Sequence, residues 1–231
     1  MQIFYTPDIS VNPELPEEES GHCVRVLRLS EGAEILLTDG KGKFYKATIT
    51  VAHPKHCQIE VTDSWTAGKP WPFYVHIAVA PTKNMDRMEW FAEKATEIGI
   101  DEITCLNCRF SERKEVKPAR LEKILVSAMK QSQKSVLPKL NGMTDFRHFV
   151  EKPFEGRKFI AHCEEEEKPL IKDIYKSGEN ALVLIGPEGD FSPEEIALAK
   201  ANGFEAISLG NSRLRTETAA LVACHTLHVL N

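Results

Sequence analysis

Two glycine-bearing stretches hold the residue types best suited to chemistry in this sequence: Gly186-Pro187-Glu188-Gly189-Asp190 and Leu209-Gly210-Asn211-Ser212-Arg213-Leu214-Arg215-Thr216-Glu217-Thr218-Ala219. Glycine permits backbone angles closed to other residues and lets a ligand approach the main chain closely. The first stretch follows the apolar run Ala181-Leu182-Val183-Leu184-Ile185, which reads as a fully buried strand. After it, Ser192 suits a helix cap, Pro193 the first helical position and Glu195 a capping box. The second repeats that logic: strand Ala206 to Leu209, a small polar turn, then a helix with Thr216 as its cap. Strands ending in such turns at the carboxyl edge of an α/β sheet are where ligands bind, so the backbone amides of both turns can line one pocket. Arg215 and Glu217 stand at its mouth. A tight ligand-free connection and a simple surface ion pair are the plain alternatives for these two features.

Other groupings carry less. Cys105-Leu106-Asn107-Cys108 is a single C-x-x-C without a second pair at zinc spacing, so no metal site is expected. His53, His56 and Cys57 cluster in a turn with no fourth ligand, and His225 and His228 suit packing or a dimer contact. There is no Walker loop, no G-x-G-x-x-G and no G-x-S-x-G, which removes the commonest nucleotide, dinucleotide and hydrolase readings.

The elements that must position the two turns fall into two parts. Residues 1–70 alternate as β-structure: Ile35 to Thr38, the hairpin turn Asp39-Gly40-Lys41-Gly42, Phe44 to Val51, a turn at His53 to His56, and Cys57 to Val61. Short strands so spaced suggest a small barrel. One helical stretch, Gly21 to Leu29, interrupts them and sets Arg25 and Arg28 three apart on one face. Ala67 to Pro72 reads as a linker. Residues 71–231 then alternate strand and helix: strands at Val75 to Ala80, Glu102 to Leu106, Lys158 to His162, Ala181 to Ile185 and Ala206 to Leu209. Helices are predicted at Asp86 to Ile98, from Pro118, at Pro169 to Lys176, Pro193 to Asn202 and Glu217 to Leu230. That order indicates a parallel α/β sheet. The last helix is apolar almost all round, as a helix buried on most sides or against a partner subunit would be.

A chain of 231 residues with 42% hydrophobic content can bury one large core or two modest ones. Without a secretory signal or a run approaching ~18 apolar residues, it reads as a cytoplasmic protein with no membrane partner and reduced thiols. The net charge of −5 conceals an asymmetry. Cys105 to Lys139 holds nine basic residues against three acidic ones, whereas acid gathers at Glu17 to Glu19 and Glu164 to Glu167. Such a distribution suits either a phosphate-attracting face or a solvated helical surface.

Taken together, Gly186-Pro187-Glu188-Gly189, Leu209-Gly210 and Leu214-Arg215-Thr216-Glu217-Thr218-Ala219 resemble the ribosomal small-subunit RNA methyltransferase E family, within the SPOUT superfamily of knotted methyltransferases. His22, Val26-Leu27-Arg28, Lys83, Lys94-Ala95-Thr96-Glu97-Ile98-Gly99, Ser111-Glu112-Arg113, Gln131-Ser132 and Pro138 extend the likeness over nearly the whole chain. The resemblance implies a PUA-like β-barrel that helps bind RNA, then a SPOUT-type α/β domain threaded into a trefoil knot. It implies S-adenosylmethionine as cofactor, a homodimer, and methylation of N3 of uridine 1498 in the 16S rRNA of the 30S subunit.

Carried onto this sequence, the resemblance assigns cofactor contacts to Ala161-His162-Cys163, to Ile185, Gly186, Pro187, Glu188 and Gly189, and to Ser208, Leu209, Gly210, Leu214, Arg215, Thr216 and Thr218. Arg215 would stabilise negative charge on the uracil; Glu217, then Glu188, would act as base, or Glu217 would orient Arg215. Arg25, Arg28, Lys83, Arg109, Arg113 and Lys134 would hold RNA phosphates. Three positions depart from the family pattern: Asp190 stands at a frequent third glycine, Asn211-Ser212-Arg213 replaces a common Pro-Arg-Ile, and Lys134 replaces a frequent arginine. Rival readings are a knotted methyltransferase for tRNA or another RNA, and a non-catalytic RNA-binding assembly factor.

Overall fold

The computed structural model describes residues 2–231, which form two compact units. The first runs through Pro70 and also takes in Val126–Leu137; the second comprises Trp71–Leu125 and Pro138–Asn231. The sequence pattern assigns 126–137 to the second part, because nothing local marks long-range pairing. In the structure Val136 bridges Lys41, Leu137 N–H donates to Gly40 O at 2.8 Å, and Ser135 Oγ donates to Gly68 O at 2.7 Å.

In the first unit, β1 (Ile3–Tyr5) pairs in parallel with β2 (Glu34–Thr38), and β3 (Lys43–Val51) and β4 (Gln58–Thr66) continue the sheet antiparallel. Among the described residues no ladder joins β4 back to β1, so the expected barrel is a four-stranded sheet with an added bridge between Glu14 and Gln58. Alternation sends Tyr45, Ala47 and Ile49 of β3 inward onto Phe4, Leu15 and Leu37. The Asp39–Gly42 turn is held by Asp39, whose carboxylate accepts from Lys41 N–H at 2.7 Å and from Tyr45 Oη at 3.1 Å.

The helical stretch expected at Gly21 to Leu29 takes another form. Helix α1 (Glu17–Gly21) runs directly into a π-helical turn at His22–Val26, where Leu27 N–H reaches back to His22 O at 3.0 Å. Arg28, at φ 57°, lies beyond the helix and does not share a helical face with Arg25. The wider turn and left-handed residue let Val24, Leu27 and Leu29 all reach the core.

The second unit is a six-stranded, all-parallel sheet in the order β10-β8-β9-β5-β6-β7. Its strands are β5 (Val75–Val79), β6 (Glu102–Asn107), β7 (Lys139–Asp145), β8 (Arg157–Ala161), β9 (Ala181–Ile185) and β10 (Glu205–Ile207). Every residue of β5 and β9 is buried, as central parallel strands covered on both faces must be. The helices are α2 (Met85–Ile98), α3 (Pro118–Gln131), whose last residues from Val126 belong to the first unit, α4 (Phe146–Val150), α5 (Ile171–Ile174), α6 (Pro193–Ala201) and α7 (Thr216–Val229). Asn84 caps α2, and Gly99 at φ 133° ends it. The residues 192–195 form the full capping box, with Pro193 leading α6. Helix α7 hides Ala220, Ala223, Cys224 and Leu227, while His225 and Val229 stay exposed. No helix among the described residues is long and apolar enough to cross a membrane.

Candidate functional site

The site lies in the second unit, where β8 and β9 end side by side: Ala161 pairs with Ile185. From there the turn Gly186–Asp190 reaches three other segments, each through a different group. Gly186 O accepts from Thr216 Oγ1 at 3.1 Å, joining it to the start of α7. Glu188 Oε1 accepts from Lys83 N–H at 2.9 Å, joining it to the loop between β5 and α2. Asp190 Oδ2 accepts from Cys163 N–H at 2.7 Å, joining it to the exit of β8. Arg113 completes the set by donating Nε to Thr82 O at 3.1 Å and Nη2 to Lys83 O at 2.5 Å. Both turns expected from sequence are thus brought together.

The side chains around the turn are held unequally. Gly186 is buried, and a Cβ there would meet Phe191 ring atoms at 3.1 Å; one on Gly189 would meet Phe110 Cβ at 3.2 Å. Gly210, at φ 125°, has nothing within 4 Å of its Cβ position and borders open space. Asp190 adopts φ 64°, a left-handed conformation that glycine takes without strain and that Asp also accepts. Its role is settled in one respect: Ser192, not Asp190, caps α6.

Thr216 is not the cap of α7, as expected from sequence, but its first residue. Arg215 holds the N-cap position without a side-chain capping bond, and the Thr216 hydroxyl turns instead to Gly186. Arg215 itself is exposed, one residue before the threonine that bonds Gly186. Glu217 behaves differently. It is 7% exposed, its Oε2 is sealed without a hydrogen-bond partner, and its Oε1 lies 3.9 Å from Arg87 Nε on α2. Its ion-pair partner is Arg87, not the neighbouring Arg215. Nothing in the sequence marked Arg87, because an arginine in the first turn of an amphipathic helix carries no signal of its own.

His162 is buried next to the turn with neither ring nitrogen hydrogen-bonded; Nε2 lies 2.9 Å from Glu166 Oε1 without the alignment a hydrogen bond needs. Burial lowers its pKa and keeps the ring neutral. Its imidazole is sealed, so what it offers a ligand is its backbone. Cys163 is exposed, and partial desolvation with Asp190 nearby pushes its thiol up. Cys105 and Cys108 are buried, and desolvation drives Cys105 up to about 12, which leaves no reactive thiolate there.

The basic residues separate by unit. Arg25, Arg28 and Lys134 belong to the first, Lys83, Arg109 and Arg113 to the second. Much of the sequence's positive excess is paired: Arg109 with Glu194 at 3.0 Å, Lys139 with Glu102 at 2.9 Å, Arg120 with Glu89, and Lys130 with the buried Glu19. Lys83 Nζ contacts Glu112 at 2.9 Å, a hydrogen bond that raises its pKa.

An α/β protein with paired turns at the carboxyl edge of its sheet is a ligand-binding protein by architecture. The chain belongs to the RNA methyltransferase domain family, whose model matches residues 69–228, and residues 15–62 match the RNA methyltransferase PUA domain. It is 44% identical to the crystal structure of a probable rRNA-methyltransferase from Porphyromonas gingivalis, with TM-score 0.95 over 100% of this chain and 98% of that one. It is 28% identical to the ribosomal RNA small subunit methyltransferase E of Neisseria gonorrhoeae bound to S-adenosyl methionine, with TM-score 0.87 over 100% and 98% of the two chains. The Bacillus subtilis protein of that same description is 26% identical over 235 residues, 96% of this chain and 90% of its own.

The residues here fit S-adenosylmethionine. The backbone amides of Leu209 and Leu214 have no hydrogen-bond partner among the described residues, and both leucine side chains are half-exposed. Free amides beside apolar surface match the hydrogen-bonding edge and flat faces of an adenine.

Proposed function

We propose that this chain uses S-adenosylmethionine to methylate N3 of uridine 1498 in 16S rRNA of the 30S subunit, as a homodimer in the cytoplasm. The observation that carries the reading is the Thr216–Gly186 hydrogen bond, which couples the two glycine turns that follow β9 and β10 in a chain of this family. Ala161-His162-Cys163, Ile185 to Gly189, Ser208 to Gly210 and Leu214 to Thr218 would hold the cofactor, largely through backbone groups. When bound, the cofactor supplies an electrophilic methyl group on a sulfonium. The protein then has to bring the base into line and manage the N3 proton, which uridine holds well above neutral pH. Arg215, exposed at the start of α7 and without a side-chain capping bond, stabilises the charge that develops on a uracil oxygen. Glu188 and Glu217 are weaker candidates for a base than sequence suggests: one is bonded to Lys83 N–H, the other sealed beside Arg87.

The trefoil knot belongs to the same reading. After β10 at the sheet's outer edge, the chain returns as α7 to pack on α2, β5 and β9 near the middle. The segments leaving β8 and β10 also pair, through a Leu170–Ser208 bridge. The homodimer reading is supported by Trp90 of α2 and Val229 of α7, which stay 43% and 67% exposed.

Incubation with labelled S-adenosylmethionine and either 30S subunits or tRNA, followed by mass mapping, tests the assignment. The expected product is a single N3-methyluridine in 16S rRNA; label in tRNA alone would overturn it. Millimolar S-adenosylhomocysteine should raise the melting temperature, and no shift would favour a non-catalytic RNA-binding protein. RNA affinity should fall steeply between ~50 and ~200 mM salt, as expected where several cations neutralise phosphates.

A further inference from the structure

We propose that Asp190 is a positioning residue for the cofactor, clasping the exit of β8 to the turn after β9 so that the two cofactor-binding loops keep one spacing. The inference rests on the reading that these loops hold S-adenosylmethionine. Three hydrogen bonds meet at this residue. Oδ2 accepts from Cys163 N–H at 2.7 Å, Oδ1 accepts from Phe191 N–H at 2.8 Å, and its own N–H donates to Pro187 O at 2.9 Å. The first of these crosses between loops far apart in sequence, and a carboxylate makes it stronger than a neutral acceptor would.

The position of Cys163 explains why a clasp matters. Strand β8 ends at Ala161, so the sheet ladder does not hold the amide of Cys163. Beyond it lie four exposed glutamates in succession, Glu164 to Glu167, whose mutual repulsion favours no compact path. Lys200 holds one of them, Glu166, at 2.7 Å. Asp190 is therefore the tie that fixes where β8 hands the chain to the pocket. It does so at φ 64°, a conformation that glycine adopts more easily. A residue kept only for the turn would be replaced by glycine without loss; one kept for its carboxylate would not.

Asp190→Gly, Asp190→Asn and the full-length parent separate these cases through S-adenosylhomocysteine affinity by calorimetry, melting temperature, and hydrogen exchange at the Cys163 amide. Asp190→Gly should weaken ligand binding roughly tenfold, leave the melting temperature unchanged or raised, and speed exchange at Cys163. Asp190→Asn tolerates a left-handed backbone and keeps one acceptor oxygen, so it should fall between the two. Parental affinity in Asp190→Gly, with the Cys163 amide exchanging faster, overturns the inference alone. A parent chain that binds no S-adenosylhomocysteine overturns the cofactor reading and this inference together.

Discussion

Replacing Arg215 by alanine is expected to slow methyl transfer on 30S subunits by ~100- to 1,000-fold, with little change in S-adenosylhomocysteine affinity. The magnitude is that of removing one preorganised donor from a developing oxyanion, about 3 kcal/mol. Three features of the structure place this demand on Arg215. It sits at the N-cap of α7, one residue before the threonine that bonds Gly186, so its backbone is fixed by the site. Its side chain is exposed and makes no capping bond, leaving the guanidinium free for a substrate. The helix N-terminus behind it adds partial positive charge in the same direction. Arg215→Lys keeps the charge without the planar fork, so it should recover only part of the rate. A single-turnover rate for Arg215→Ala near that of the parent would remove the residue from the mechanism.

The carboxylates divide differently from the sequence expectation. Proximity in sequence suits Glu217 to orient Arg215, yet residues two apart at the start of a helix point to different sides. The helix turns Glu217 inward, where its first-turn position favours a carboxylate and Arg87 supplies the cation. Glu188, exposed, spends one oxygen on the Lys83 amide and steadies the β5–α2 loop. Arg215, by contrast, is exposed and makes no side-chain capping bond at the start of α7.

How much of this was legible in the sequence depends on the range of the interaction. Ser192, Pro193 and Glu195 announced α6 correctly because a capping box is written within four residues. The buried strand β9 and the hairpin at Asp39–Gly42 were legible for the same reason. Strand β7 was not: Lys139 to Asp145 contains Gly142 and no apolar alternation, and only pairing with β6 makes it a strand. Strand β1 is three residues long, too short for any period to appear. The exchange of Val126–Leu137 into the first unit depends on a bridge to Lys41 that no local pattern encodes. The site shows the same division. Its two glycine turns were readable by type and spacing, whereas the Arg87–Glu217 pair and the Asp190–Cys163 bond join segments that only the fold brings together.

A second large effect is expected away from the two glycine turns, at His76. Its ring is buried near the start of β5, with Nε2 2.8 Å from Thr104 Oγ1 and the rings of Phe149 and Phe154 against it. Glu102 lies 3.7 Å from Nδ1 and accepts in turn from Tyr74 Oη at 2.7 Å, Lys139 Nζ at 2.9 Å and Asn141 Nδ2 at 2.5 Å. Burial outweighs the attraction of Glu102 and lowers the His76 pKa to about 4, while Lys139 works in the same direction as burial. A pKa lowered on folding means that the unfolded chain binds the proton first. The stability contributed by the neutral ring is therefore complete above pH ~6.5 and is lost as the pH falls toward the folded value. At pH ~4.5 the loss from this one group is about 2.5 kcal/mol. Burial pushes the Glu102 carboxyl up, but Lys139, His76, Tyr74 and Asn141 together outweigh it and hold it down to about 2, so it stays ionised in the folded protein across that window. Urea unfolding of the parent and of His76→Gln at pH ~7.5 and pH ~4.5 separates the contribution. The variant should start less stable, having lost a packed ring, and should lose about 2.5 kcal/mol less on acidification. Equal acid losses in the two proteins would mean that the imidazole stays neutral, or finds another partner for its proton, throughout the range.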